Sequence, residues 1–257
     1  MHEARTYRDF LQSADLVSFT VVVKETDLFI LARSDLHGLA LETVINHRHK
    51  LESFIDKYPD FKTSLAPVRI PLGAPEVVRM MAEAGKAANV GPMAAVAGAF
   101  SELVGRALME RSPEVIVENG GDIFINTLRE RTVALFAGDS PLSGKTGIKI
   151  SPQDSPVGVC TSSGKVGPSL SLGVAHAACI VAKSAALADA AATAAGNAVK
   201  AEGDVRAGLG AAAGIPGVLG AVIISGDKLG AWGRVELVKV TPPLSPSQDK
   251  RGRGVKI

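Results

Sequence analysis

Cysteine is nearly missing from this 257-residue chain, and the two that occur, Cys160 and Cys179, fit no zinc-ligand spacing and cannot build a disulfide framework. Both read as reduced thiols. Aromatic residues make up only 4% of the chain, which argues against the base-stacking platforms of single-stranded nucleic-acid binders. A surplus of one charge is lacking as well. The formal net charge is +2, and residues 241–257 account for more than that excess, with Lys250, Arg251, Arg253 and Lys256 set against Asp249. No basic nucleic-acid footprint is present. No apolar run reaches the roughly 18 residues of a membrane span. Residues 1–10 are charged and polar with no apolar signal core, so no membrane partner is expected and the protein is expected to be cytoplasmic.

What remains is a chain of small and aliphatic residues, long enough to bury a core without staples. Its apolar periods predict an α+β fold. Residues 17–23 and 28–32 alternate as a hairpin. Helical spacing then runs from Leu36 to a stop at Pro59, through Leu39, Ala40, Val44, Leu51, Phe54 and Ile55. After a connector over 67–75, helices are predicted at 76–88 and 93–109, a short strand at 114–118, a glycine turn at 119–121, and a second hairpin pairing 123–126 with 132–136. Strands near 147–150, 157–160 and 178–182 precede an alanine-rich helix from 184 to about 200 and a shorter helix. Strands at 217–224 and 234–240 flank the turn Ser225-Gly226-Asp227. Hairpin, helices and strands thus occur twice, which predicts one domain over 1–240 made of two intertwined halves with mixed or antiparallel sheets and packed helices. Residues 241–257, without periodicity, are predicted to be a disordered basic tail.

Several lookalikes drop out on spacing. Gly144-Lys145-Thr146 ends like a phosphate loop, but its upstream glycine, Gly138, is one residue too far, and 158–165 fails the same test. Gly208, Gly210 and Gly214 follow a helix rather than a strand, and Lys228 stands where a ribose-binding acid is wanted. His47 and His49, two residues apart on a helix, cannot share a metal. His176 reads as a loop histidine, with acid–base work as its alternative, and Cys160 as a buried strand cysteine, with a nucleophile as its alternative.

Three constellations survive. In the alanine helix, Asp189 and Thr193 lie one above the other at i and i+4. With alanine on the other faces, both are predicted to look into the structure, where a buried acid needs a cation or a set of N–H groups. At 119–122, Asn119-Gly120-Gly121-Asp122 follows a strand; paired glycines let backbone N–H groups approach a ligand, with Asn119 and Asp122 beside it. At 161–164, Thr161, Ser162, Ser163 and Gly164 offer hydroxyls to phosphate oxygens or a turn cap.

Taken in chain order, the turn at 120–122, the turn at 161–164 and the Asp189/Thr193 helix resemble the ApbE family, the magnesium-dependent flavin transferases, over about residues 93–195. The resemblance implies magnesium held by Asp189, Thr193 and a backbone carbonyl near Ala94, and a small-molecule ligand, either a flavin (FAD or FMN) or a different ligand that carries a diphosphate, contacted by Asn119–Asp122 and Thr161–Gly164. Transferase or hydrolase chemistry would follow. The chain departs from the family pattern in two places. The family's histidine and Asp-Pro-x-Thr-Gly element is missing from Val166-Gly167-Pro168-Ser169-Leu170-Ser171-Leu172-Gly173, and its lysine is replaced near Ala97. The chain thus resembles the short cytosolic branch of the superfamily, which implies an alternative role as a non-catalytic accessory protein in anaerobic sulfur assimilation, homocysteine formation, acting as a homodimer or with a sulfur-metabolism partner.

Overall fold

A computed structural model describes residues 15–164 and 172–240. The predicted tail at 241–257 and the departing segment at 166–171 lie outside the described residues. The fold is α+β, in three layers.

β-Branched residues at alternating positions make β1 (Val17–Val23) and β2 (Thr26–Ala32), a hairpin whose inward side buries Val21, Leu28 and Ile30. Helix α1 (His37–Lys57) follows, its buried stripe Ala40, Val44, Leu51 and Phe54 recurring at helical spacing. A single turn, α2 (Asp60–Thr63), continues beyond Pro59. Helix α3 (Glu76–Ala88) starts after Pro75 and stops at Asn89, whose left-handed backbone turns the chain. A 3₁₀ turn at Pro92–Ala95 leads into α4 (Val96–Met109).

The strands β3 (Val115–Asn119) and β4 (Asp122–Asn126) pair with each other across Gly120-Gly121. Both glycines have positive φ, 69° and 102°, the backbone of the tight hairpin turn whose twist matches the flanking strands. This corrects the expected pairing of 123–126 with 132–136. The two-residue turn outcompetes the longer connection, and β5 (Arg131–Ala134) pairs instead with β6 (Thr146–Ile150) in a separate sheet. β7 (Val157–Ser162) and β8 (Ala177–Ala182) come next, then helices α5 (Ala185–Ala198) and α6 (Val205–Ala213). β9 (Val218–Ser225) is partnered by β10 (Lys228–Gly233) across the Gly226 turn. The expected strand over 234–240 is the shorter β11 (Glu236–Lys239), which leaves that sheet to join β6.

The main sheet is antiparallel throughout, in the order β1-β2-β3-β4-β7-β8-β9-β10; the smaller one runs β11-β6-β5. In the large sheet, the first four strands and the last four each interrupt their chain with helices after the second strand. Alternation along the strands sends Phe124, Cys160, Ala178, Ile180 and Ile223 toward the helices, and Ile123, Ile125, Val159, Cys179 and Val222 toward the small sheet. Scarce aromatics leave the helix layer to be packed by alanine: eight residues of α5 are buried, seven of them alanine. Among the described residues no single helix is long and apolar enough to cross a membrane.

Candidate functional site

Helix α5 reaches the sheet and its neighbour helix by shedding side chains. A Cβ on Gly158 of β7 would stand 2.3 Å from Ala185 Cα, and one on Gly98 of α4 would stand 2.2 Å from the Ala185 carbonyl oxygen and 2.8 Å from Asp189 Cβ. Backbone contact at Gly98 thus brings Asp189 to the start of α4, where the Gly98 N–H donates to Asp189 Oδ2 at 2.9 Å. Helix α4 has no side-chain cap of its own, so Asp189 satisfies N–H groups that the first helical turn leaves open. Burial nevertheless outweighs the Gly98 and Ala97 N–H groups and pushes the Asp189 carboxyl up to about 7.

Beneath it lies Asp122, the first residue of β4, in register with Cys160 of β7. Asp122 is 8% exposed, and its Oδ1 is buried with no hydrogen-bond partner among the described residues. Its carboxyl is pushed well above the usual aspartate range, first by burial, then by the negative charges of Asp189 and Glu118; Cys160 and the Thr161 backbone pull the other way without prevailing. Glu118 is buried and accepts from the Gly121 N–H at 2.8 Å. Asn119 secures the same turn to α4, donating from Nδ2 to the Ala97 carbonyl at 3.1 Å.

The structure therefore gathers Asn119, Gly121, Asp122, Thr161 and Asp189 around the start of α4. Gly120, at the tip of the turn, is exposed. Thr193 is half-buried one helical turn beyond Asp189, and Ala94 half-buried in the 3₁₀ turn before α4. Ser162 ends β7 and lies near α5: a Cβ on Gly196 would stand 3.7 Å from its Oγ. Ser163 and Gly164 lead away from β7, where the Gly164 N–H donates to the Ala175 carbonyl at 3.0 Å.

The two alternative catalytic groups are used otherwise. Cys160 is fully buried with its Sγ 3.3 Å from the Ala185 carbonyl, and burial with the nearby Asp122 and Asp189 charges holds its thiol well above the ordinary range. That is the reverse of an activated nucleophile. Cys179 faces the other layer and is pushed up to about 12 by burial. His176, 4% exposed, accepts at Nδ1 from the Gly226 N–H at 3.0 Å and meets Asp139 at Nε2, 3.2 Å away. It ties the loop after β5 to the β9–β10 turn.

Sequence spacing identified Asp122 only as a contact for a ligand edge. Its approach to Asp189 is a tertiary event, signalled only by the glycine at position 98, which permits the helix crossing. Among the described residues no group of three or more histidine, cysteine or carboxylate side chains is placed to hold a metal ion by itself. A cation in this site would rest on two carboxylates completed by hydroxyl, carbonyl or water oxygens, a hard-oxygen set of the kind magnesium takes. The orphaned Asp122 Oδ1 and the repulsion between the two acids fit such an ion, since a cation would relieve that repulsion.

A family model described as AbpE bacteria matches residues 8–212. A UPF0280 protein of Methanosarcina barkeri is 42% identical over 219 residues, covering 84% of this chain and 86% of that protein. Among solved structures, the flavin transferase ApbE from Vibrio cholerae is similar with a TM-score of 0.55 at 12% identity, over 86% of this chain and 97% of the other. The apo flavinyl transferase ApbE of Pseudomonas stutzeri aligns with a TM-score of 0.53 at 14% identity, over 84% and 93%. At these identities the likeness is one of fold.

Proposed function

Since this chain belongs to the family described as AbpE bacteria, within the ApbE-like superfamily, we propose that it binds magnesium at Asp189 and Asp122, with Thr193 and the Ala94 carbonyl as further oxygen donors, and with it a flavin nucleotide such as FAD or FMN. The observation that carries this reading is the pair of neighbouring carboxylates, with Asp122 pushed up by burial and by the Asp189 charge and its Oδ1 buried without a hydrogen-bond partner among the described residues. Magnesium, when bound, would neutralise these acids and the ligand's diphosphate and supply Lewis acidity.

The chain's own residues have separate tasks in this reading. The Gly120-Gly121 turn, held to α4 by Asn119 and to β3 by Glu118, admits the ligand close to backbone. Thr161, Ser162, Ser163 and Gly164 offer donors to phosphate oxygens. The N–H groups at the start of α4 hold Asp189 in place. Flavin transfer itself is not part of this reading, because the family's histidine element and lysine are missing.

The test is a melting experiment on the full chain with magnesium together with FAD or FMN. Saturating ligand should raise the midpoint by about 5 °C, and Asp189→Ala should abolish the rise. The reading fails when neither flavin gives a magnesium-dependent shift. A second reading, an accessory protein without chemistry, is favoured by the Gly98 bond, which gives Asp189 a structural task. Under it, Asp189→Ala lowers the melting point while capture of a sulfur-metabolism partner is unchanged.

A further inference from the structure

Glu102 is a buried acid with no part in the site described above. It is 1% exposed, on α4. Its Oε2 accepts from Ser184 Oγ–H at 2.7 Å and from the Ala186 N–H at 3.3 Å, and its Oε1 pairs with Arg106. Ser184 is the N-cap of α5, and Ala186 lies in its first turn. Asp189 of α5 does the same for α4, through Gly98 in that helix's first turn. Contacts run in opposite order along the two helices, Gly98 with Asp189 and Glu102 with Ser184 and Ala186, so the helices are antiparallel. Each N-terminus accepts an acid from its partner's body.

We propose that Glu102 is a positioning residue for Asp189, fixing the register of α5 along α4; the inference rests on the magnesium reading above for its functional consequence. From Ser184 to Asp189 the helix rises about 7 Å, a rigid lever with Glu102 at one end and the site at the other. The Gly98–Ala185 backbone contact stops α5 from approaching α4 more closely, and the polar bonds of Glu102 and Asp189 oppose sliding along the α4 axis. A slide of about 1 Å would carry the 2.9 Å bond at Asp189 beyond hydrogen-bonding range and move its carboxylate relative to Asp122. Arg106 touches Glu102 from the exposed side and contributes nothing to the register.

Two measurements test this on the full chain, comparing wild type with Glu102→Gln, Ser184→Ala and Arg106→Gln. In metal-free protein, amide exchange at Gly98 should accelerate about tenfold in Glu102→Gln and Ser184→Ala, with the amides from Phe100 to Val104 unaffected and Arg106→Gln unchanged. A merely structural role would move all these amides together. In the second measurement, manganese binding followed by electron paramagnetic resonance should weaken about tenfold in the same two variants. Unchanged exchange at Gly98 overturns the proposal, as does wild-type manganese affinity in Glu102→Gln. If wild type takes up no manganese while Gly98 exchange responds, the magnesium reading fails and the register role stands.

Discussion

Glu114 and Asp122 flank the two ends of β3, and both are buried acids, yet their surroundings are opposite in sign. Burial alone raises the Glu114 carboxyl, but the Leu128 N–H, Arg131 and Thr127 more than reverse this, and the group ends below the usual carboxylate range. Arg33 pairs with its second oxygen, and Arg131 also grips Asp15 through two bonds of 3.0 Å. At Asp122 burial raises the carboxyl first, and the negative charges of Asp189 and Glu118 drive it further up. The first acid is tied to arginines at one end of the strand, whereas the second sits beside other acids, an arrangement that a bound cation would relieve. Buried ion pairs are costly to break; buried like charges are kept at a cost to the free protein.

The largest effect should come from removing the compensated acid. Glu114→Ala removes the buried acid that Arg33 and Arg131 share, while Arg131 keeps Asp15, and takes the acceptor from the Leu128 N–H, and is expected to destabilise the protein by about 3 kcal/mol. Denaturant melts measure it directly. A loss below about 1 kcal/mol would show that the arginines find new partners at the surface, and the contrast between the two ends of β3 would be one of degree only.

The next effect is opposite in sign along the pH axis. Glu114 titrates below its unfolded value, so its contribution is present above about pH 4.5 and lost as the pH falls through the folded pKa. Asp189 titrates above its unfolded value, so the folded state binds its proton more tightly. Stability from this group is complete below about pH 3.8 and declines as the pH rises to about 7. Metal-free protein should therefore lose stability between about pH 4 and 7, by at most about 1.4 kcal/mol per unit for one proton. Asp122→Asn, which removes a second carboxyl that titrates above its unfolded value, should flatten that slope, stabilise the metal-free protein by about 1 kcal/mol at pH 8, and eliminate the response to magnesium. A slope unaltered in Asp122→Asn would mean that Asp122 binds its proton no more tightly in the folded state than in the unfolded one.

Much of this architecture is legible in the sequence, and the reasons are local. The β1–β2 hairpin and helices α1, α3 and α5 show in apolar period, and Asn119-Gly120-Gly121-Asp122 marks a tight turn because its two glycines take positive φ. The partner of β4 is harder to read, since a strand's alternation does not say which neighbour it pairs with. Three tertiary features leave almost no trace in spacing. Gly98 looks like one small residue among many, although its missing side chain sets the helix crossing. Glu102 and Glu114 look like surface acids until Ser184 and Arg131, both distant in sequence, fold against them. The link between Asp122 and Asp189 is likewise made only by packing α5 onto β7. Motif spacing could identify each acid, but not that they would repel one another.

The smallest effect separates the carboxylates from the neutral donor proposed beside them. Thr193 is half-buried on the same helical face as Asp189, and its hydroxyl adds no charge to the site. Thr193→Val keeps shape and β-branching, so metal-free stability should change by less than about 0.5 kcal/mol, and the pH slope, which belongs to the acids, should not move at all. Magnesium affinity should nevertheless fall by about fivefold, roughly 1 kcal/mol, for one neutral oxygen lost. Isothermal titration with magnesium or manganese reads this against Asp122→Asn, where binding is lost outright. If Thr193→Val binds as wild type does, the hydroxyl is not a ligand, and the contrast between the two ends of β3 rests on charge alone: two acids brought together and left to a hydrated ion.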